Sequence, residues 1–107
     1  MTIKLPRIIN DYVNASNARD VKSVVACFAD NALVHDERND FRGKKMIEDW
    51  ITKTIEKYKF QLKPISIKDD NAVVVAVEVS GTFDGSPITL DYHFTIESDK
   101  ILSLTID

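Results

Sequence analysis

At Phe60 the spacing of apolar residues changes from three-and-four to two, and no other feature limits the fold as much. Before that point Leu5, Ile8, Ile9, Tyr12 and Val13 recur at helical steps. Val21, Val24, Val25 and Phe28 do so again, as do Met46, Ile47, Trp50, Ile51, Thr54, Ile55 and Tyr58. After it, Val73, Val75, Val77 and Val79 alternate with Val74, Ala76, Glu78 and Ser80. Leu90, Tyr92, Phe94 and Ile96 alternate in the same way with Asp91, His93, Thr95 and Glu97. Helices followed by strands is an α+β order. Long twisted strands curl, so the expectation is three N-terminal helices packed on a strongly curved antiparallel sheet, with a hollow inside the cone.

The punctuation agrees with this reading. Pro6 suits the first turn of a helix, and Asp20 is placed to cap the second. The run Phe28-Ala29-Asp30-Asn31-Ala32-Leu33-Val34-His35-Asp36 reads as a helix end, a polar turn and a short strand, Ala32 to Asp36. Arg38 to Asp40 reads as a polar loop, and Gly43 introduces the third helix. Phe60 and Leu62 share a face while Ile65 and Ile67 have the opposite parity, so Pro64 marks a bulge or bend. Turns are expected at Asp69-Asp70-Asn71, Asp84-Gly85-Ser86-Pro87 and Ser98-Asp99-Lys100.

A chain of 107 residues fits one domain, residues 1–107, burying roughly two-thirds of its unfolded surface. Its 44% hydrophobic and 29% charged content exclude disorder as the main state. A net charge of −3 with dispersed basic residues excludes a nucleic-acid partner; Lys53, Lys57, Lys59 and Lys63 form only a solvated helix face. No run approaches about 20 apolar residues, so no membrane partner is expected, and with no leader-like segment the expected location is cytoplasmic. The single cysteine, Cys27, lies in an apolar helical run as a small buried hydrophobe. His35 and His93 fall on the faces opposite Asp36 and Tyr92, outside metal-ligand spacing, and no glycine-rich phosphate loop occurs; neither metal nor cofactor is expected.

Helix, helix, Phe28-Ala29-Asp30-x-Ala32-x-Val34-x-Asp36, then Phe41-Arg42-Gly43 before a third helix and long hairpins: in these features nearly the whole chain resembles the NTF2-like superfamily. Within it the likeness is to the ketosteroid isomerase and SnoaL-like branch. The resemblance implies a cone-shaped fold and a pocket, while the superfamily hosts isomerases, cyclases, dehydratases, hydrolases and non-catalytic binders. It places Asp36 at the general base of the isomerases, and the separation of Tyr12 from Asp36 matches that of their oxyanion-hole tyrosine. Phe28 stands for a tyrosine of some members, and Ile51 for another, with Trp50 beside it matching an aromatic. Tyr92 (or Asp91, with the last hairpin shifted by one) stands where the family has a protonated acid, and inward parity favours Tyr92. The implied chemistry is proton transfer next to a carbonyl, with Asp36 taking the proton and Tyr12 and Tyr92 polarising the oxygen.

Phe28, Val34, Trp50, Phe60 and Phe94 are the expected substrate-binding walls, facing a small apolar or carbonyl-bearing ligand. The competing reading gives Asp36 an arginine partner, Arg38 or Arg42, and makes the chain a non-catalytic binding or carrier domain. A third makes it an interaction module with a closed pocket. The sheet's other face, with Val74, Ala76, Thr89, Thr95, Ser103 and Thr105, is mildly polar and flat; a homodimer through it is expected.

Overall fold

The computed structural model describes residues 4–69 and 72–107. Two helices, α1 (Arg7–Asn17) and α2 (Val21–Ala26), lead into a hairpin of β1 (Phe28–Asp36) and β2 (Asn39–Arg42). Helix α3 (Lys44–Tyr58) follows, and then β3 (Gln61–Asp69), β4 (Val73–Ser80), β5 (Ile88–Glu97) and β6 (Lys100–Ile106). The six strands form one sheet in the order β2-β1-β6-β5-β4-β3. An α+β domain with three helices against a curved sheet is what the change of periodicity predicts.

Local chemistry explains the boundaries. Asp20 caps α2 by accepting the Ser23 backbone N–H at 3.2 Å and the Ser23 hydroxyl at 2.7 Å. Gly43, at φ 88°, turns the chain into α3 in a conformation that side chains disfavour. Lys59, in the left-handed region, ends that helix. Pro64 sits at a bulge, where the β3–β4 register shifts between Pro64 and Ser66, so Leu62 and Ile67 both face the core despite their parity. Asn17, at the end of α1, clamps the edge strand β3. Its amide donates to Leu62 O at 2.9 Å and accepts from Leu62 N at 2.7 Å, as a neighbouring strand would.

Four sequence expectations change. Phe28 is not a helix end but the first residue of β1, paired with Ile101, because Ile101 N–H already binds the Cys27 carbonyl at 2.8 Å. The polar stretch Asp30-Asn31 is a bulge within that strand rather than a separate turn. Asn39–Arg42, read as loop, pairs with Leu33–Asp36 as a hairpin, and the exposed Glu37 and Arg38 take positive φ at its tip. The sheet is also not wholly antiparallel. The β3–β6 meander leaves β6 with a free edge, and β1 covers it in parallel. The turn expected at Asp69-Asp70-Asn71 lies, beyond Asp69, outside the described residues.

The core lies between the helices and the concave face. Ile9, Phe28, Val34, Ile47, Ile51, Val75, Phe94, Ile101 and Leu104 are buried there, Cys27 with them as a free thiol. Burying side chains of this size contributes about 1.5–3 kcal/mol each, so these contacts dominate the folding energy. Gly81 makes the tightest join: a Cβ there would strike the Tyr58 carbonyl oxygen and come within 3.2 Å of Phe60 Cα. Thr82 N–H binds that same carbonyl at 2.8 Å, so the β4–β5 loop is pressed onto the end of α3.

Candidate functional site

The inward alternation of β1 runs Ala32, Val34, Asp36, so the strand that buries two apolar side chains also carries a carboxylate inward at its end. Across the sheet Tyr92 pairs with Ile106, and Val79 with Ile88. On α3, Trp50, Thr54 and Tyr58 follow at four-residue steps along one face. These elements diverge at the same end of the sheet and enclose a cavity of about 320 Å³. That is the lower end of small-molecule pockets, roughly 300–1,000 Å³.

Its inner wall is made by Tyr12, Trp50, Phe60, Val79, Leu90, Tyr92 and Ile106, with Asp36 half-buried among them. The exposed Glu37, Asp84 and Ile88, with Tyr58 and Phe83, form a rim that opens to solvent. Tyr58 donates to Glu37 at 2.7 Å and meets the Phe83 ring edge-on, centroids 5.7 Å apart.

Asp36 Oδ2 accepts the Trp50 indole N–H at 3.0 Å; no arginine pairs with Asp36 among the described residues. Arg42 reaches instead to the Asn31 carbonyl at 3.4 Å. Burial pushes the Asp36 carboxyl above the usual carboxylate range and Glu37 adds repulsion, while the indole N–H works against both. The direction suits a group that must accept a proton and release it again.

Tyr12 and Tyr92 are 1% and 5% exposed. Tyr12 stands edge-on to Phe28 and Phe94, at centroid distances of 5.9 and 5.7 Å. Burial raises both phenols above their ordinary pKa; next, Tyr92 acts on Tyr12, and the Asp36 carboxylate on Tyr92. Both therefore stay protonated at neutral pH and keep a proton to donate. The Ser16 hydroxyl, one turn along α1, is near enough to Tyr12 to oppose that shift as a hydrogen bond does, yet it falls short of hydrogen-bond geometry with any partner among the described residues. Neither phenol hydroxyl has a hydrogen-bond partner of good geometry among the described residues.

A match to the SnoaL-like domain covers residues 9–104. The chain belongs to that family. Among solved structures, a candidate polyketide cyclase from Sinorhizobium meliloti (protein SMa1630) is 34% identical, at a TM-score of 0.92, with 96% of this chain and 95% of that one covered. An NTF2-like protein of unknown function from Cytophaga hutchinsonii superposes at a TM-score of 0.78 and 15% identity, covering 100% and 93% of the two chains. A Catenulispora acidiphila protein with a ketosteroid isomerase-like fold does so at 0.84 and 14%, covering 97% and 86%. At these identities the last two share the fold alone. A search of curated proteins finds no match.

Of the residues expected at the site of this SnoaL-like chain, Tyr12, Asp36, Trp50, Phe60 and Tyr92 line one cavity. Of the two residues considered on the last hairpin, Asp91 is exposed and Tyr92 faces inward. Phe28, Val34 and Phe94 do not line the cavity. They are at most 1% exposed and fill the core beneath it, where α1 and α2 close the other end of the sheet. Trp50, read as wall, is also the partner of Asp36. Glu37, Tyr58, Phe83 and Asp84 were not singled out. The inward parity of Val79 and Leu90 was a usable signal, whereas the acids at two turns carry none.

His35 and His93 lie on the outer side. His35 Nδ1 is 2.6 Å from Asp40; His93 Nε2 is 2.9 Å from Asp107 but short of hydrogen-bond geometry. Among the described residues no cluster of metal-ligating side chains occurs, and no helix is long and apolar enough to cross a membrane.

Proposed function

We propose that this SnoaL-like domain is an enzyme of isomerase or cyclase type that moves a proton next to a carbonyl on a small, mainly apolar substrate. The observation that carries the reading is the company Asp36 keeps. A half-buried carboxylate that no lysine or arginine pairs with among the described residues shares one open cavity with two buried phenols, of which Tyr92 has no hydrogen-bond partner among them and Tyr12 has only the Ser16 hydroxyl nearby. The substrate carbonyl oxygen accepts from Tyr12 and Tyr92. Asp36 takes the α-proton through the oxygen not held by Trp50, and the C–H electron pair moves into the enolate. The protonated Asp36 then returns the proton to another carbon, or the enolate carbon attacks a second carbonyl of the same molecule, whose C=O opens to an alkoxide that takes the proton from Asp36 while the first carbonyl re-forms.

The test is α-hydrogen exchange of a small ketone in D₂O, followed by proton NMR. Asp36→Asn is expected to abolish exchange and retain binding; equal exchange in both proteins removes Asp36 from any mechanism. Binding without exchange in the wild type makes the chain a non-catalytic binding or carrier domain instead.

A homodimer through the outer face of the sheet accompanies this reading, with Val74, Ala76, Ser103 and Thr105 half-buried on that face in the single chain. Light scattering that gives a 12.1 kDa particle at micromolar concentration rules it out. A cytoplasmic setting accords with the free, buried thiol of Cys27.

A further inference from the structure

The side chains that line the cavity carry one sign of charge, although Lys57 acts on Glu37 from outside the lining. Asp36, Glu37 and Asp84 line it, and no lysine, arginine or histidine does. Lys57 stands outside the lining, with Nζ 5.0 Å from the centroid of the Tyr58 ring. Tyr58 occupies one oxygen of Glu37, and the other has no partner among the described residues. Asp84 is exposed and forms no ion pair among them. Between these two acids the rim offers the rings of Tyr58 and Phe83.

Acids at a rim do not make a site by themselves. The independent observation is the inner end of the same cavity, where Tyr92 is 95% buried and lacks a hydrogen-bond partner among the described residues. Its hydroxyl is free to donate to an acceptor that an occupant brings in. One end of the cavity thus asks for an oxygen acceptor and the other for positive charge, with apolar walls between them.

We infer that the occupant is an amine-bearing ketone: its carbonyl meets Tyr12 and Tyr92 beside Asp36, and its ammonium sits at the rim between Glu37 and Asp84. This rests on the cavity being the ligand site, as proposed above, and adds the substrate's charge. An ammonium there gains from two carboxylates in a half-enclosed space and from the faces of the rim aromatics. A carboxylate or phosphate in its place meets repulsion from three acids, with Lys57 outside the lining the nearest offset. A cationic substrate also favours the enolate, because the new negative charge forms within reach of its own ammonium.

Trp50, the only tryptophan, lines the cavity and reports occupancy by its fluorescence. Three probes decide the matter: 4-phenylbutan-2-one, its para-aminomethyl analogue and its para-carboxylate analogue. At low salt the aminomethyl probe is expected to bind at least about tenfold tighter than the carboxylate, with the gap narrowing as salt screens the rim. In the double variant Glu37→Gln, Asp84→Asn the ratio of the two affinities is expected to fall several-fold, with circular dichroism confirming the fold. A carboxylate that binds as well as the amine overturns the inference, as does a gap that salt and the double variant leave untouched. In either case Asp36-dependent exchange of the neutral ketone preserves the proposed function and confines the failure to charge. If none of the three alters Trp50 fluorescence or titrates by calorimetry, both fail.

Discussion

Tyr12→Phe separates a phenol kept for a ligand from a phenol that merely packs. The ring is 1% exposed and wedged edge-on between Phe28 and Phe94, so phenylalanine retains the packing. Only the hydroxyl is lost, and the fold gives it no partner of good geometry. A buried polar group without a partner costs roughly 1–3 kcal/mol. The cavity opens to water, which relieves part of that, so about 1 kcal/mol of stabilisation is expected in the variant. For a domain of this size that raises the thermal midpoint by about 4–8 °C. The same change removes one of two donors to the developing oxyanion. Losing such a donor costs about 10²–10³ in rate, and the remaining Tyr92 holds the loss to the lower figure. Urea and thermal unfolding read the first effect, and ketone α-exchange by NMR reads the second. A variant less stable by 1 kcal/mol or more, with unaltered exchange, refutes the reasoning. The hydroxyl would then serve the fold and not a substrate.

Asp36→Asn is expected to be more stable than the wild type at neutral pH and equal to it in acid. The folded carboxyl is raised above its unfolded value, so its contribution is full below about pH 4 and is lost as pH rises through the folded pKa. Asparagine cannot ionise and its amide oxygen still accepts from Trp50. Urea midpoints of the two proteins at acid and neutral pH check the sign, and a variant weaker at pH 7 reverses it. Asn17→Ala removes both hydrogen bonds to the Leu62 backbone and leaves an edge-strand donor and acceptor unpaired. The expected loss is about 2 kcal/mol by denaturant titration, and a loss under about 0.5 kcal/mol marks the clamp as incidental.

Periodicity made the fold legible, since helix and strand bury side chains at different repeats. Even the bulge at Pro64 shows as a change of parity between Leu62 and Ile67. Strand β2 does not show, because Asn39 and Asp40 are exposed on both sides and its pairing with β1 comes from the hairpin tip, not from buried residues. The parallel partnership of β1 and β6 is equally silent. Alternation says which way a side chain points and says nothing of which strand lies alongside.

The same limit explains the site. Phe94 and Tyr92 have identical parity on β5, as do Val34 and Asp36 on β1, yet one of each pair is core and the other lines the cavity. The difference lies along the strands, not across them. Phe28 pairs with Ile101, and Val34 and Phe94 both register with Leu104, at the end of the sheet that the first two helices fill. One step further, Tyr92 registers with Ile106, and Val79 with Ile88, where Tyr12 of α1 and the Trp50, Thr54 and Tyr58 face of α3 border the cavity. Helix α3 crosses that end with Trp50, Thr54 and Tyr58, each one turn nearer the rim, so it makes a wall and not a plug. The hollow therefore lies along the strands beyond the buried core, bordered by α3 and by Tyr12 of α1. Chemistry follows from that geometry, because an inward position beside the hollow is where Asp36 remains without an arginine and Tyr92 without an acceptor among the described residues.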